Sequence, residues 1–174
     1  GSPAGAPGAI GTLPSGSDSE LARKILGMSS IRLNTSGSCS SASGPVTPTK
    51  NIADIADGKK TAKCSNECAG KGSAGCTDNA INLSNKMLAA IVAVGEKQQF
   101  TITSIGGGSH STTSAHFRGA AIDISPVNQA LMDAFVAAGA SPPNGNSASM
   151  CELNGKNVGC SGGGGNHIHL VFPN

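Results

Sequence analysis

The stretch SAHFRGAAID, residues 114–123, sets a histidine, His116, and a carboxylate, Asp123, among glycine and alanine, in a chain that has only four histidines. Residues 120–124 are short and apolar apart from Asp123, and read as a strand. Side chains on a strand alternate between faces. Asp123 therefore points away from Ile122 and Ile124 and shares its face with Ala121 and Ser125, which are small and leave room. Gly119 allows a bend or a close backbone approach just ahead of the strand. His116, in the preceding turn, is placed to fold back over the Asp123 face.

A second motif lies near the end of the chain, in NHIHLVF, residues 166–172. His167, His169 and Val171 fall on one face of a strand, and Ile168, Leu170 and Phe172 on the other. The apolar face packs on the core and the histidine face looks into a cleft. Two imidazoles on one face are able to share one metal, or one binds metal while the other handles protons. If this strand lies antiparallel to residues 120–124, His169 joins His116 and Asp123. Three protein ligands with a fourth position left for water is the pattern of a catalytic zinc site, and a mixed His/carboxylate set suits Zn2+.

Outward from these motifs, the chain alternates helices and strands. SDSELARKILGM, from Ser17, reads as a helix capped by Ser17 or Asp18, with Leu21, Ile25 and Leu26 as its apolar stripe. IRL (31–33) reads as a short strand, and NIADIAD (51–57) as one or two helical turns. SNKMLAAIVAVGEKQ, capped by Ser84, is the clearest helix. QFTITSI (99–105) is a strand, and PVNQALMDAFVAAG a helix with Pro126 near its start, Ala130, Leu131, Ala134 and Phe135 on one face and Gly139 as its stop.

The composition narrows the class. Of the 174 residues 37% are hydrophobic, with no Trp, no Tyr and four Phe, so the core is built from Ile, Leu, Val and Ala. Six cysteines offset so light a core, and their polar surroundings read as disulfides in an oxidising compartment: secreted, periplasmic or cell-surface. Cys151 and Cys160 bracket CELNGKNVGC, whose Asn-Gly signals a turn, and are expected to clip one hairpin. Cys39, Cys64, Cys68 and Cys76 then pair in one of three ways; zinc held by Cys64, Cys68 and Cys76 is the alternative, at a spacing poorly matched to zinc knuckles. A net charge of +2 with 13% charged residues gives no basic stripe, and with no aromatic platform there is no case for nucleic acid. No apolar run is long enough to span a membrane.

The two motifs together resemble the zinc D-alanyl-D-alanine peptidase family, which includes carboxypeptidases, dipeptidases and LAS-type murein endopeptidases. The signature S-x-H-x-x-G-x-A-x-D is matched by Ser114, His116, Gly119, Ala121 and Asp123, and the H-x-H ending by His167 and His169. The resemblance covers residues 84–174. It implies an α+β fold of the hedgehog/DD-peptidase type, a small antiparallel sheet flanked by helices, here disulfide-stapled. It also implies Zn2+ on His116, Asp123 and His169, with His167 handling protons or the transition state. The expected activity is hydrolysis of peptide stems or cross-links of bacterial peptidoglycan, with zinc-bound water as nucleophile. Many members carry a Glu shortly before the last ligand; here those residues are Gly163-Gly164-Gly165-Asn166. That favours the LAS-like arrangement in which a histidine takes the role. Many also carry an Arg in the turn after the first strand. Here Arg118 is the nearest substitute and His110 the second, so both are catalytic candidates with His167, and Ser114 and Arg118 are substrate-binding candidates. The bland readings are a solvated turn for His110, a surface charge for Arg118 and a cap for Ser114. Glu152 reads as a surface acid of the disulfide loop, with a displaced general base as its other reading.

The expected organisation is a linker or tail over 1–16 and one zinc-peptidase-like domain over 17–174, with a cysteine-bearing part at 17–80 and a catalytic part at 81–174. It is expected to be a monomeric domain of a larger protein, with a peptidoglycan peptide as its partner. The alternative is an inactive metal-binding relative that serves as a cell-wall or protein binding module of a surface appendage.

Overall fold

The computed structural model describes residues 12–65, 77–111, 113–162 and 164–173, with 77–79 through their backbone only. Cys68, Cys76 and most of the expected 1–16 tail lie outside the described residues. The elements in order are α1 (Asp18–Leu26), β1 (Ile31–Leu33), β2 (Ser40–Ser41), β3 (Gly44–Pro45), α2 (Pro48–Ala56), β4 (Thr61–Ser65), β5 (Thr77–Ile81), α3 (Asn85–Gly95), β6 (Phe100–Ser104), β7 (Gly107–Gly108), a 3-10 turn (Ala115–Arg118), β8 (Ala121–Ser125), α4 (Gln129–Ala137), β9 (Met150–Leu153), β10 (Lys156–Asn157) and β11 (His167–Val171). Among the described residues this is an α+β chain with three sheets.

The main sheet runs β1-β6-β8-β11-β9-β10. It is antiparallel except at one edge, where β1 lies parallel to β6. Each helix starts where a side chain accepts from the first turn's backbone. Ser17 forms a capping box with Glu20, Thr47 caps α2 with Pro48 in its first turn, Ser84 caps α3, and Asn128 caps α4. Three details depart from the sequence reading. Pro126 precedes the cap of α4 rather than opening the helix, which turns Ala130 outward and Met132 inward. Leu26 is exposed, because α1 buries only Leu21, Ala22 and Ile25. The expected turn or two at NIADIAD is a nine-residue helix that begins three residues earlier, at Pro48.

The core is mainly Ile, Leu, Val and Ala, with α3 buried from Met87 to Gly95. Phe100 and Phe135 meet edge to face at 5.2 Å, supplying the main aromatic contact. One apolar cluster runs from Leu21 and Ile52 through α3 to Ile168 and Phe172. Cys151–Cys160 closes the β9–β10 hairpin around Asn154-Gly155, and Cys39–Cys64 ties the β2–β3 region to β4. Cys64 is thereby committed to a disulfide, which removes it as a zinc ligand. Two disulfides among the described residues fit an oxidising compartment. No described helix is long and apolar enough to cross a membrane.

Gly119 shows why the opening motif needs glycine. It sits at φ 70°, and a Cβ there would fall 1.8 Å from the Asn82 carbonyl oxygen. Its own carbonyl accepts from Ser84 N–H at 2.8 Å, so the approach ties the motif to the start of α3. Backbone cannot yield cheaply to such a clash. Gly119→Ala is expected to destabilise by at least about 2 kcal/mol, read as a lowered midpoint in urea unfolding with unchanged slope.

Candidate functional site

Three short elements bring the motif residues together. The 3-10 turn carries His116, and Ser114 caps it by accepting from His116 N–H at 3.2 Å. Strand β8 carries Asp123 and β11 carries His169, and the two residues stand directly opposite in the antiparallel pairing. His116 Nε2 lies 3.1 Å and His169 Nδ1 3.0 Å from the same oxygen, Asp123 Oδ1. The two imidazole nitrogens are 3.2 Å apart.

The direction of one hydrogen bond orders this cluster. His116 Nδ1 stands 2.6 Å from the Ile105 carbonyl oxygen, which only accepts, so Nδ1 carries a proton. Nε2 then faces Asp123 Oδ1, also an acceptor. His116 is fully buried. Two acceptors in contact inside a protein need a donor or a cation between them: the Nδ1–H of His169, 3.2 Å from one and 3.0 Å from the other, is placed to serve, and so is a metal ion. Burial alone would raise the Asp123 pKa. The neighbouring His116, and hydrogen bonds with His116 and His169, outweigh it and hold the carboxyl well below the usual range.

His110 joins from the glycine-rich turn. Its ring stacks on His116 at 3.7 Å and 11°, and its Nε2 meets Ser104 Oγ at 3.0 Å. Ser65 on β4 clamps its backbone, donating to the His110 carbonyl and accepting from its N–H. Burial, with His116 adding to it, lowers the His110 pKa from 6.5 to about 4. His110, His116 and Asp123 offer ligand atoms within 4.8 Å of one another, a group able to hold a metal ion. His110 is therefore not a solvated turn residue.

His167 lies one step out, its Nε2 3.9 Å from Asp123 Oδ1 and 3.3 Å from Glu152 Oε2. Its Nδ1 is 2.6 Å from Asn166 Oδ1. Both ring nitrogens thus face acceptors, the arrangement of an imidazolium. The hydrogen bond to Glu152 raises the His167 pKa above 6.5, and the same bond lowers that of Glu152 below 4.5. Sequence reasoning undervalued Glu152. It is the cross-strand partner of His167 on β9 and lines the cleft. The only signal for it was the expected clip at Cys151–Cys160, since no spacing in the sequence gives the register of that hairpin on β11.

The cluster opens into a cleft of about 880 Å³. Arg118 lines it and donates from Nη1 to the Thr113 carbonyl at 3.2 Å, and Ser114 lines the same wall. Serines, asparagines and glycines make up much of the remaining lining, and no Phe is among it. No protein-family model, curated protein or solved structure gives a significant match to the chain.

The Glu152–His167 pair fixes a sign. His167 is stabilised in its charged form, so that contribution is full below pH 6.5 and fades as pH rises through the raised value; that of Glu152 is full above 4.5 and fades as pH falls through its lowered value. In chelator-treated protein, NMR titration of His167 is expected to give a midpoint above 6.5, and Glu152→Gln to bring it down.

Proposed function

We propose that this protein is a zinc-dependent peptidase of the D-alanyl-D-alanine peptidase type, with the hedgehog/DD-peptidase fold, acting outside the cytoplasm on peptide stems or cross-links of peptidoglycan. The observation that carries the reading is the mutual spacing of His116 Nε2, Asp123 Oδ1 and His169 Nδ1, 3.0–3.2 Å on every edge. Donors around a tetrahedral zinc at about 2.0–2.1 Å stand about 3.3–3.4 Å apart, so these three residues fit the ion with small adjustments. The Ile105 carbonyl behind His116 is the kind of outer partner that fixes a ligating imidazole.

When bound, zinc supplies a Lewis acid that polarises a carbonyl and lowers the pKa of water. The chain's own residues do the rest. His167, whose charged form Glu152 favours, offers an N–H to negative charge that develops on a substrate oxygen. Glu152 and His167 together hold and pass the proton needed by the leaving amine. Arg118 offers a guanidinium to a substrate carboxylate. The hydroxyl- and glycine-rich lining suits a peptide of small residues.

One observation favours a second reading, a metal-binding module without hydrolysis. His110, neutral at physiological pH and stacked on His116, is close enough to serve as a further nitrogen ligand. Four protein donors would leave no open position.

Metal analysis and hydrolysis assays on purified peptidoglycan and on peptides ending in D-Ala-D-Ala, with and without chelator, test both. The expected result is one zinc per chain and chelator-sensitive cleavage. His116→Ala, Asp123→Ala and His169→Ala are expected to lose the zinc. His167→Ala is expected to keep it and lose about 100-fold or more in kcat. Stoichiometric zinc retained by both His116→Ala and Asp123→Ala sinks the site, and zinc binding with no cleavage selects the second reading.

A further inference from the structure

We infer that the amino-terminal part of the chain forms the outer shell of the metal centre, through a one-directional hydrogen-bond relay from His116 to the carboxylate of Asp54. This rests on the metal-site portion of the function proposed above and goes beyond its ligands.

His116 Nδ1–H donates to the Ile105 carbonyl at 2.6 Å. The same peptide unit continues the chain, because Gly106 N–H donates to Asn51 Oδ1 at 3.0 Å. Asn51 Nδ2 donates to Thr61 Oγ1 and to the Ala62 carbonyl, both at 2.9 Å. Thr61 Oγ1 donates to Asp54 Oδ2 at 2.9 Å. No step can run backwards. The Ile105 and Ala62 carbonyls only accept and Gly106 N–H only donates, which fixes the Asn51 amide. Thr61, having accepted from Asn51, has its one proton left for Asp54.

Asn51 and Thr61 are both fully buried, so the inner links are shielded from water. Hydrogen bonds aligned head to tail in such surroundings polarise one another. A carboxylate behind a ligating histidine raises the basicity of the ligand nitrogen. Here the carboxylate stands four hydrogen bonds away, with two side chains and one peptide unit between. Lys50 Nζ, 3.2 Å from Asp54, steadies the far end. Asp54, Asn51 and Thr61 are positioning residues: none touches the cleft, and all act through His116.

Asp54→Asn tests the charge with little change of shape, since asparagine keeps an acceptor oxygen for Thr61. Zinc affinity measured by competition with a chelator is expected to fall about 3- to 10-fold, below the 10- to 100-fold typical of direct outer-shell partners, with the melting temperature of metal-free protein nearly unchanged. Thr61→Val cuts the relay, and in that background Asp54→Asn is expected to have no further effect. Wild-type affinity in Asp54→Asn overturns the proposal. So does a loss of equal size in the Thr61→Val background, which marks a field acting through space. If the wild-type chain takes up no zinc, the metal-site reading fails on its own. The relay is then read from the 15N shifts of the His116 ring in metal-free protein: movement on Asp54→Asn supports it, and no movement overturns it.

Discussion

Asp123 Oδ1 is shared by two imidazoles at about 3 Å, and much of the surrounding structure exists to make that contact tolerable. A carboxylate with two ring nitrogens converging on it is a poor arrangement for an uncharged interior. It requires a donor or a cation among the converging atoms, and it requires that the rings be held. Strand pairing provides part of the hold, since Asp123 and His169 are direct partners across β8 and β11. The Ile105 carbonyl provides the rest by fixing which nitrogen of His116 faces inward. Gly119 makes the geometry reachable, because only a residue without a side chain lets the turn press against Asn82.

The parts of the site that were legible in the sequence are those set by local periodicity. Asp123 had to oppose Ile122 and Ile124, and His169 had to oppose Ile168 and Leu170, once each stretch was a strand. His116 followed from its place in the turn. What escaped was set by contacts distant in sequence. Glu152 reaches His167 only because β9 pairs with β11 at one register. His110 lies on His116 only because β7 pairs with β4 and Ser65 clamps the His110 backbone. The helix α2 was half seen, since its start depends on Thr47 and Pro48, which precede the apolar pattern. Its buried Asn51 looked like any polar residue on a short helix, yet it satisfies three groups from β4 and the β6–β7 turn.

The same contacts give the cysteine-bearing part a place in the architecture. Its sequence shows little pattern because little of it forms a core of its own. The cluster of Val46, Ala62 and Cys64 is small. The segment is held by Cys39–Cys64, by Asn51 and by the pairing of β4 with Gly107 and Gly108. Those glycines precede His110, so what anchors the segment also shapes one wall of the cleft. On the opposite wall, Cys151–Cys160 performs the corresponding task for the hairpin that carries Glu152. A light aliphatic core is therefore supplemented by covalent links at the two loops whose placement matters to the cleft.

A metal ion held by His116, Asp123 and His169 would tie its occupancy to folding, because the three donors would be satisfied together. The free energy of metal binding is then also free energy of folding, because the unfolded chain does not preassemble donors from the 3-10 turn, β8 and β11. The elements that the metal would hold together, β8, β11 and the turn before β8, are the ones that join the main sheet to the glycine-rich wall. Metal binding would therefore stabilise the cleft as a unit, and metal loss would loosen first the contacts that give the site its shape.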